Sequence, residues 1–274
     1  MVYEEARAKT NLGLAVLGRR PDGYHELHTV FATLDLADRI RIEPRGEGIH
    51  LEVKGGKLSS GMENLAYRAA FLYLRAAGLS RGVQIVLEKQ IPLAAGLGGG
   101  SADAAAVLRG LERLFGAGVD LFALAKKLGA DVPFLLRGGL AEARGVGEAL
   151  RFLPPKRLFF VLLNPGIEVP TAAVYRELTS GDFGPELAVE EILNTLARGA
   201  PPPWRNDLEA PAFRLFPELR RLKEELEAEG LYPLLSGSGA TFLIPASGPE
   251  AAEALGKRLS LRYPGAWVRA VRTA

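Results

Sequence analysis

Residues 92–105, PLAAGLGGGSADAA, decide how this chain must be interpreted. Four of the five residues from 96 to 100 are glycine, and an alanine-rich stretch with helical spacing follows them. Glycine has no Cβ, so its backbone N–H groups can approach a ligand closely, and a helix start adds a partial positive charge. The pattern predicts a loop that holds a di- or triphosphate without cationic side chains; the plain alternative is a flexible surface turn.

Two better-known phosphate loops do not match this stretch. A Walker A loop requires Gly-Lys-Ser/Thr, which is missing here. The dinucleotide pattern G-x-G-x-x-G fails as well, because the sixth position counted from Gly96 is Ser101. A dinucleotide-dependent dehydrogenase is therefore the weaker interpretation.

The composition is that of an ordinary globular protein. Of the 274 residues, 48% are apolar and 24% are charged, and the formal net charge is +2. This near balance predicts no binding to nucleic acid or to a membrane surface. The absence of cysteine excludes disulfides and thiolate nucleophiles and is typical of a reducing compartment. The charged start MVYEEARAK and the lack of an 18-residue apolar run predict a cytoplasmic protein without a membrane span.

Strands and helices are expected in both halves of the chain. Residues 1–60 alternate as strands do, and Asp22-Gly23 predicts a hairpin turn. Helices are expected from Asn64 to Gly78, from Ser101 to Gly116 and from Asp120 to Gly129, each with a capping residue and a terminal glycine.

The second half mixes the same elements in a different order. A buried strand, LFFVLLNP, precedes a helix that starts at PTAAVY, and the segment LPPKR near residue 153 indicates a domain boundary. We therefore expect an α+β fold of two domains, residues 1–153 and 154–274, each with a mostly antiparallel sheet.

Three motifs together resemble the GHMP kinases, the family named for galactokinase, homoserine kinase, mevalonate kinase and phosphomevalonate kinase. GLGGGSADAA is similar to the second family motif, AKTNLGL (Ala8 to Leu14) to the first, and SGSGATF (Ser236 to Phe242) to the third. The resemblance implies an N-terminal α/β domain like one in a ribosomal protein and a C-terminal ferredoxin-like domain. It also implies an active site between them and a third motif that packs beside the phosphate loop.

Further segments resemble one branch of this family, whose substrate carries a cytidine diphosphate. They are GRRPDGYHELHTVF (18–31), GADVPF (129–134) and PTAAVY (170–175). The resemblance implies transfer of a phosphoryl group from ATP, with Mg²⁺, to the 2-hydroxyl of a cytidine-diphosphate-linked methylerythritol in the non-mevalonate isoprenoid pathway.

Lys9 and Asp131 are the candidate catalytic residues. Phosphorylation of an alcohol needs a base for the hydroxyl proton, and a nearby ammonium keeps a carboxylate ionised and stabilises the attacking oxygen. Without the family resemblance, Asp131 would be interpreted as a helix cap and Lys9 as a solvated strand residue. The resemblance implies a catalytic Lys and Asp at these positions.

A second group of residues is expected to bind the cytidyl substrate. An aromatic ring can stack on a base, and an imidazole can bond to the polar edge of that base. The plain alternative for Tyr24 and His25 is partly buried packing. The resemblance implies that both grip cytosine, that Tyr175 covers its other face, and that Asn11 and Thr171 bond to hydroxyls or phosphates.

The remaining expected contacts are those to ATP. The resemblance places adenosine near Asn64 and Lys89, partly through backbone atoms, and the phosphates on Pro92, Gly96, Leu97, Gly98, Gly99, Gly100, Ser101 and Ala102. Asp103 is interpreted as a helix-supporting residue rather than a metal ligand. Ser101 is the better candidate to lie near Mg²⁺, whose ligands the sequence leaves open. His28 lacks the partners of a metal site.

Two rival functions remain at this point. One is a GHMP-type kinase of a simpler alcohol, which would not need two rings around a base. The other is a catalytically silent binding module, against which the presence of both Lys9 and Asp131 argues. The expected partners are the cytidyl substrate and ATP, and the expected assembly is a monomer or weak homodimer.

Overall fold

Two long strands, β1 (Val2–Arg19) and β2 (His25–Arg45), are joined by a tight turn. The backbone N–H of Arg20 donates to the carbonyl of Tyr24 at 2.8 Å, and Gly23 adopts φ = 88°. Only glycine takes up that conformation without strain, so the hairpin predicted from Asp22-Gly23 is confirmed.

The structure describes residues 1–56 and 58–274, which divide into two compact units. Unit 1 comprises Met1–Lys9, Leu36–Leu93 and Gly98–Gly138, and unit 2 comprises Thr10–Asp35, Ala94–Leu97 and Gly139–Ala274. Strands β1 and β2 contribute residues to both units. The predicted domain boundary at residues 153 and 154 stays a prediction.

Unit 1 contains a sheet in which β4 (Gly82–Glu88) lies between β3 (Ile49–Lys54) and β2. The pairing of β4 with β2 is antiparallel and that with β3 is parallel. Ile42 of β2 and Leu51 of β3 lie opposite Ile85 of β4, and all three are buried. The predicted alternation therefore places one apolar face of these strands in the core.

The described part of unit 1 contains the helices α1 (Leu65–Ala76), α2 (Gly99–Phe115), α3 (Leu121–Leu128) and α4 (Val132–Arg137). Helix α1 packs against α2 and α3. The predicted caps are confirmed: Asn64 Oδ1 accepts from Ala66 N at 2.9 Å, and Asp120 Oδ1 accepts from Ala123 N at 3.0 Å.

The start of α2 differs from the prediction. The helix begins at Gly99 rather than Ser101, so Gly99 and Gly100 are helical and the loop ends at Gly98. Gly98 has φ = 65°, and its carbonyl accepts from Ala102 N at 2.8 Å, closing the first turn. The left-handed Gly98 thus acts as the N-cap without a side chain.

Unit 2 contains two further sets of strands. In the first, β2 pairs with β5 (Leu140–Gly145), which pairs with β6 (Ala149–Leu153). In the second, the order is β10-β7-β9-β8, with β7 Phe159–Asn164, β8 Leu234–Leu235, β9 Phe242–Ala246 and β10 Trp267–Arg272. All these pairings are antiparallel, so the predicted mostly antiparallel sheets are confirmed.

The helices of unit 2 are α5 (Thr171–Arg176), α6 (Val189–Ala197), α7 (Glu209–Leu215), α8 (Pro217–Ala228) and α9 (Pro249–Arg262). The described residues of this unit include two apolar clusters. One joins β1 and β2 to α5 and α7, and the other joins β7 and β9 to α8 and α9.

Within the described residues, no helix combines the length and the apolar character needed to cross a membrane.

Candidate active site

Unit 1 brings Lys9 and Asp131 together. Lys9 is buried with 6% of its surface exposed, and its Nζ lies 3.5 Å from Asp131 Oδ2. Asp131 precedes α4, yet its side chain makes no capping hydrogen bond and is 30% exposed. Lys9 is therefore not a solvated strand residue, and the carboxylate of Asp131 is not used as a helix cap.

The side chain of Lys9 also packs on the glycine-rich loop. A Cβ built on Gly98 would lie 2.8 Å from Lys9 Cγ and 3.2 Å from Lys9 Cε. The glycine at the N-cap of α2 thus leaves the space in which the lysine stem lies. Its ammonium group lies beside the Asp131 carboxylate, where it can stabilise negative charge on an oxygen.

The middle of the loop, in unit 2, packs on the SGSGATF turn. Ser236 Oγ donates to the carbonyl of Gly96 at 3.0 Å and shares a second hydrogen bond with Thr10 Oγ1 at 3.0 Å. Gly96 has φ = 74°, and a Cβ there would lie 2.9 Å from the carbonyl oxygen of Gly239. The prediction that the third motif packs beside the loop is confirmed.

Other residues predicted to contact ATP lie on the same loop or, like Asn64, at the start of α1. The side chain of Leu97 is buried, so only its backbone can face a ligand. The amide of Asn64 caps α1 and also donates from Nδ2 to the carbonyl of Ser59 at 2.8 Å. Pro92 and Ser101 are half-buried.

Unit 2 groups aromatic rings around His25. The ring centroid of His25 lies 5.7 Å from that of Tyr175 and 6.1 Å from that of Phe183. Burial, with Arg19 adding to it, lowers the pKa of His25, which favours the neutral imidazole that can both donate and accept. Tyr24 beside it is 65% exposed.

The predicted polar substrate contacts also lie in unit 2. Thr171, the first residue of α5, shares a hydrogen bond between its Oγ1 and Ser238 Oγ at 2.8 Å. Asn11 is buried, and its Nδ2 donates to Thr29 Oγ1 at 2.7 Å. Both side chains are therefore held in place by hydroxyl partners.

Comparison with known proteins places this chain in a family. Residues 64–139 match the family model "GHMP kinases N terminal domain", and residues 188–265 match "GHMP kinases C terminal". A 4-diphosphocytidyl-2-C-methyl-D-erythritol kinase of Thermus thermophilus is 57% identical over 255 residues, which are 91% of each chain. The same kinase of Deinococcus radiodurans is 46% identical over 97% of this chain and 91% of its own.

The chain belongs to the 4-diphosphocytidyl-2-C-methyl-D-erythritol kinases, a branch of the GHMP kinases. A crystal structure of 4-(cytidine 5'-diphospho)-2C-methyl-D-erythritol kinase superposes with a TM-score of 0.90 at 53% identity, covering 100% of both chains. The family resemblance, the two-domain GHMP kinase fold and its α+β class are thereby confirmed. GHMP kinases use ATP as co-substrate.

One buried cluster of this GHMP kinase was missed by sequence reasoning. Lys89 Nζ contacts carboxylate oxygens of both Asp38 and Asp103, the latter at 2.7 Å, and all three side chains are at most 3% exposed. Asp103 is therefore an ion-pair partner rather than a residue that supports the helix start. The sequence could have indicated a buried partner for Asp103, because this acidic residue lies among the alanines of the buried face of α2.

The pKa values in this cluster follow from its burial. Burial raises the pKa of Asp103 to about 8; Lys89 opposes this rise, and the neighbouring Asp38 carboxylate adds to it. Burial also lowers the pKa of Lys89, but the two carboxylates outweigh it and raise the value above that of an ordinary lysine.

The ring of Phe183 is a second feature that the motifs did not indicate. It follows a 3₁₀ turn, Ser180–Asp182, in which Asp182 accepts from the N–H and hydroxyl of Thr179. Arg214 of α7 donates to both carboxylate oxygens of Asp182, at 2.9 and 2.8 Å. Hydrogen bonds from Arg214 hold the pKa of Asp182 well below its usual range.

The histidine that invited a metal interpretation has other partners. Nδ1 of His28 accepts from Leu187 N at 3.0 Å, so Nε2 carries the proton and donates to Glu142 Oε1 at 3.0 Å. Among the described residues, no three or more histidine, aspartate or glutamate side chains are grouped to hold a metal ion.

Proposed function

We propose that this chain transfers the γ-phosphoryl group of ATP to the 2-hydroxyl of 4-diphosphocytidyl-2-C-methyl-D-erythritol, producing the 2-phosphate and ADP. The observation that carries the proposal is the Lys9–Asp131 pair, 3.5 Å apart, with the stem of Lys9 against Gly98 at the start of α2. The choice of substrate rests on the relatives, which bear the name of this kinase at up to 57% identity. It is the reaction of the non-mevalonate route to isoprenoid precursors.

Asp131 is assigned the role of general base. Its carboxylate takes the proton of the 2-hydroxyl as that oxygen forms a bond to the γ-phosphorus, and the bond to the β,γ-bridging oxygen breaks to release ADP. The ammonium of Lys9 keeps the carboxylate ionised and stabilises charge on the attacking oxygen. No phosphoenzyme is required, because transfer is direct.

The glycine-rich loop is assigned to the phosphates of ATP. Its contacts would be those of Pro92 and of Gly96 through Ala102, and the first turn of α2 supplies backbone N–H groups and a partial positive charge. Adenosine would lie near Asn64 and Lys89. Since both side chains are already bonded within unit 1, we expect backbone contacts there.

The residues of this loop fit a Mg²⁺ ion that would bind together with the nucleotide. Mg²⁺ keeps several waters and needs only one or two protein oxygens in addition to phosphate oxygens, so a large acidic cluster is not required. The hydroxyl of Ser101 in the first turn of α2 is the side chain that would hold it, because Asp103 is bound to Lys89. When bound, the ion neutralises charge on the phosphates.

The rings of unit 2 are assigned to the cytosine of the substrate. Tyr24 and Tyr175 would stack on the base, and neutral His25 would bond to its polar edge. Asn11 and Thr171 would bond to hydroxyls or phosphates of the same molecule. A simpler alcohol carries no base that could stack on these rings. The rings therefore favour the cytidyl substrate over the alternative, a GHMP-type kinase of another small alcohol.

The test measures ADP release in a coupled assay with the cytidyl substrate, homoserine and mevalonate as acceptors. We expect turnover with the cytidyl substrate only. Asp131→Asn should lower kcat by about 10²–10⁴-fold and leave both KM values unchanged, since the amide cannot accept the proton.

The matched control is Asp120→Asn, which removes an exposed carboxylate that only caps α3. It should keep wild-type kcat. Comparable turnover of homoserine or mevalonate would contradict the substrate assignment. More than about a tenth of wild-type kcat in Asp131→Asn would contradict the role of general base.

A further inference from the structure

The ring of Phe183 lies on a segment that is tied to neighbouring elements on both sides of it. We call this segment, residues 179–187, the strap. Before Phe183, the guanidinium of Arg214 on α7 donates to both carboxylate oxygens of Asp182, at 2.9 and 2.8 Å. This bidentate pair fixes the turn from which the ring projects.

The strap is also tied on the far side of the ring. The backbone N–H of Gly184 donates to the carbonyl of Val16 on β1 at 3.1 Å. Farther along, the backbone N–H of the buried Leu187 donates to Nδ1 of His28 on β2 at 3.0 Å. All of these residues belong to unit 2. Hydrogen bonds to α7, β1 and β2 therefore hold the backbone that carries Phe183.

The imidazole of His25 packs beside this ring. Among the described residues, its aromatic neighbours are Tyr175, with ring planes 33° apart, and Phe183, with ring planes 71° apart. Because the two neighbours meet the imidazole in different orientations, they leave it fewer rotamers than an exposed histidine has.

The orientation of this imidazole determines whether two similar bases can be distinguished. Cytosine and uracil exchange a hydrogen-bond donor for an acceptor on the edge assigned to His25. An imidazole that turns freely avoids the mismatch with uracil by rotating toward solvent, so the wrong base loses little affinity. An imidazole that is held in place leaves polar groups unpaired against uracil, which is far more unfavourable.

We propose that Phe183, held by the strap, is a specificity-determining residue, because it fixes the imidazole of His25 so that cytosine is accepted and uracil is rejected. The inference rests on the proposed binding of a cytidyl substrate by the rings of unit 2. Phe183 acts through His25 and is therefore a positioning residue. One aromatic ring pair changes an equilibrium by about 2- to 10-fold, so the preference for cytosine should depend on Phe183 by about that factor.

The test is calorimetric titration with cytidine 5'-diphosphate and with uridine 5'-diphosphate. A saturating non-hydrolysable ATP analogue is present throughout and keeps both probes out of the ATP site. The variant is Phe183→Leu, which keeps an apolar side chain and removes the ring. The matched control is Phe216→Leu, since Phe216 at the end of α7 packs against the same apolar cluster as Phe183.

Wild type and Phe216→Leu should prefer cytidine 5'-diphosphate by the same ratio of affinities. Phe183→Leu should reduce that ratio by about 2- to 10-fold, chiefly because uridine 5'-diphosphate is rejected less strongly. Phe183→Tyr keeps the ring and should show the wild-type ratio. A merely structural role of Phe183 would weaken both diphosphates equally, and an unchanged ratio in folded Phe183→Leu overturns the inference.

Wild type alone tests the inference if Phe183→Leu does not fold. The chain has three histidines, so His25→Ala identifies the ring-proton resonances of His25 in NMR spectra. With cytidine 5'-diphosphate bound, a nuclear Overhauser effect is expected between the rings of His25 and Phe183, whose centroids are 6.1 Å apart. Its absence from the complex overturns the inference.

Two failures are distinguishable in this experiment. If wild type prefers cytidine 5'-diphosphate and Phe183→Leu shows the same preference, positioning by Phe183 is wrong and the assignment of the rings to cytosine stands. If wild type binds both diphosphates equally or binds neither, the assignment of the rings to cytosine is wrong and the inference is wrong with it.

Discussion

Replacing Gly98 by alanine should impair catalysis as well as stability. Gly98 has φ = 65°, and an alanine there would place its Cβ 2.8 Å from Lys9 Cγ. An ordinary contact begins near 3.4 Å, so the lysine stem must retreat by about 0.6 Å. That movement carries Nζ away from its position 3.5 Å from Asp131 Oδ2.

The expected magnitudes follow from these two distortions. A left-handed alanine destabilises by about 1–2 kcal/mol, and the crowding of Lys9 adds about 1–3 kcal/mol. Because a misplacement of about 1 Å at a reacting group can reduce the rate about 100-fold, we expect kcat to fall by about 10- to 100-fold.

Gly116→Ala is the matched control for this variant. Gly116 caps the other end of α2 with φ = 60°, and nothing lies within 4 Å of a Cβ built there. Gly116→Ala should therefore be destabilised only by the left-handed backbone conformation. We expect its melting temperature to fall by several degrees and its kcat to equal that of the wild type.

Coupled ADP-release assays and thermal denaturation of both variants would check the comparison. Equal kcat in Gly98→Ala and Gly116→Ala would refute the argument, because it would show that the position of Lys9 does not depend on the space left by Gly98.

Two further predictions concern the rings of unit 2. Tyr24→Ala should raise KM for the cytidyl substrate by about 5- to 150-fold and spare KM for ATP, since stacking on one base contributes about 1–3 kcal/mol; unchanged KM values in a folded variant would remove Tyr24 from the site. His25→Ala should instead reduce the preference for the cytidyl over a uridyl substrate in competition assays, because their exchanged donor and acceptor are distinguished by hydrogen bonds. Asp182→Asn should lower the free energy of unfolding by about 1–3 kcal/mol in denaturant titrations at pH 7. Because the pKa of Asp182 is depressed in the folded state, that difference should be complete above the ordinary aspartate value of about pH 4 and be lost progressively as the pH falls from there through the lower folded-state pKa; a difference independent of pH would contradict the ion pair with Arg214.

Local features of the fold were predictable because their causes lie within a few residues. Asn64 and Asp120 cap helices since each side chain needs to reach only two or three residues ahead. The turn at Gly23 requires only a positive φ. The start of α2 was placed two residues late, because a left-handed glycine can cap a helix without a side-chain signal.

The candidate site was predictable only in part. The motifs indicated Lys9 and Asp131 through the family resemblance, and the structure adds their 3.5 Å separation and the contact of Lys9 with Gly98. The ring of Phe183 beside His25 had no motif of its own, since its position depends on a turn that Arg214 of α7 holds.

The sequence by itself determined the glycine-rich loop, the helix that follows it and the alternation that buries one face of each strand, because these depend on backbone freedom and periodicity. The tertiary structure alone decided that Asp38, Lys89 and Asp103 share one buried cluster. Asp38 lies 51 residues from Lys89 along the chain, and no local pattern encodes a contact over that separation. Such contacts arise from the order and register of the strands. Those follow from burying the apolar faces of distant segments together, and the charges are then paired within that buried space.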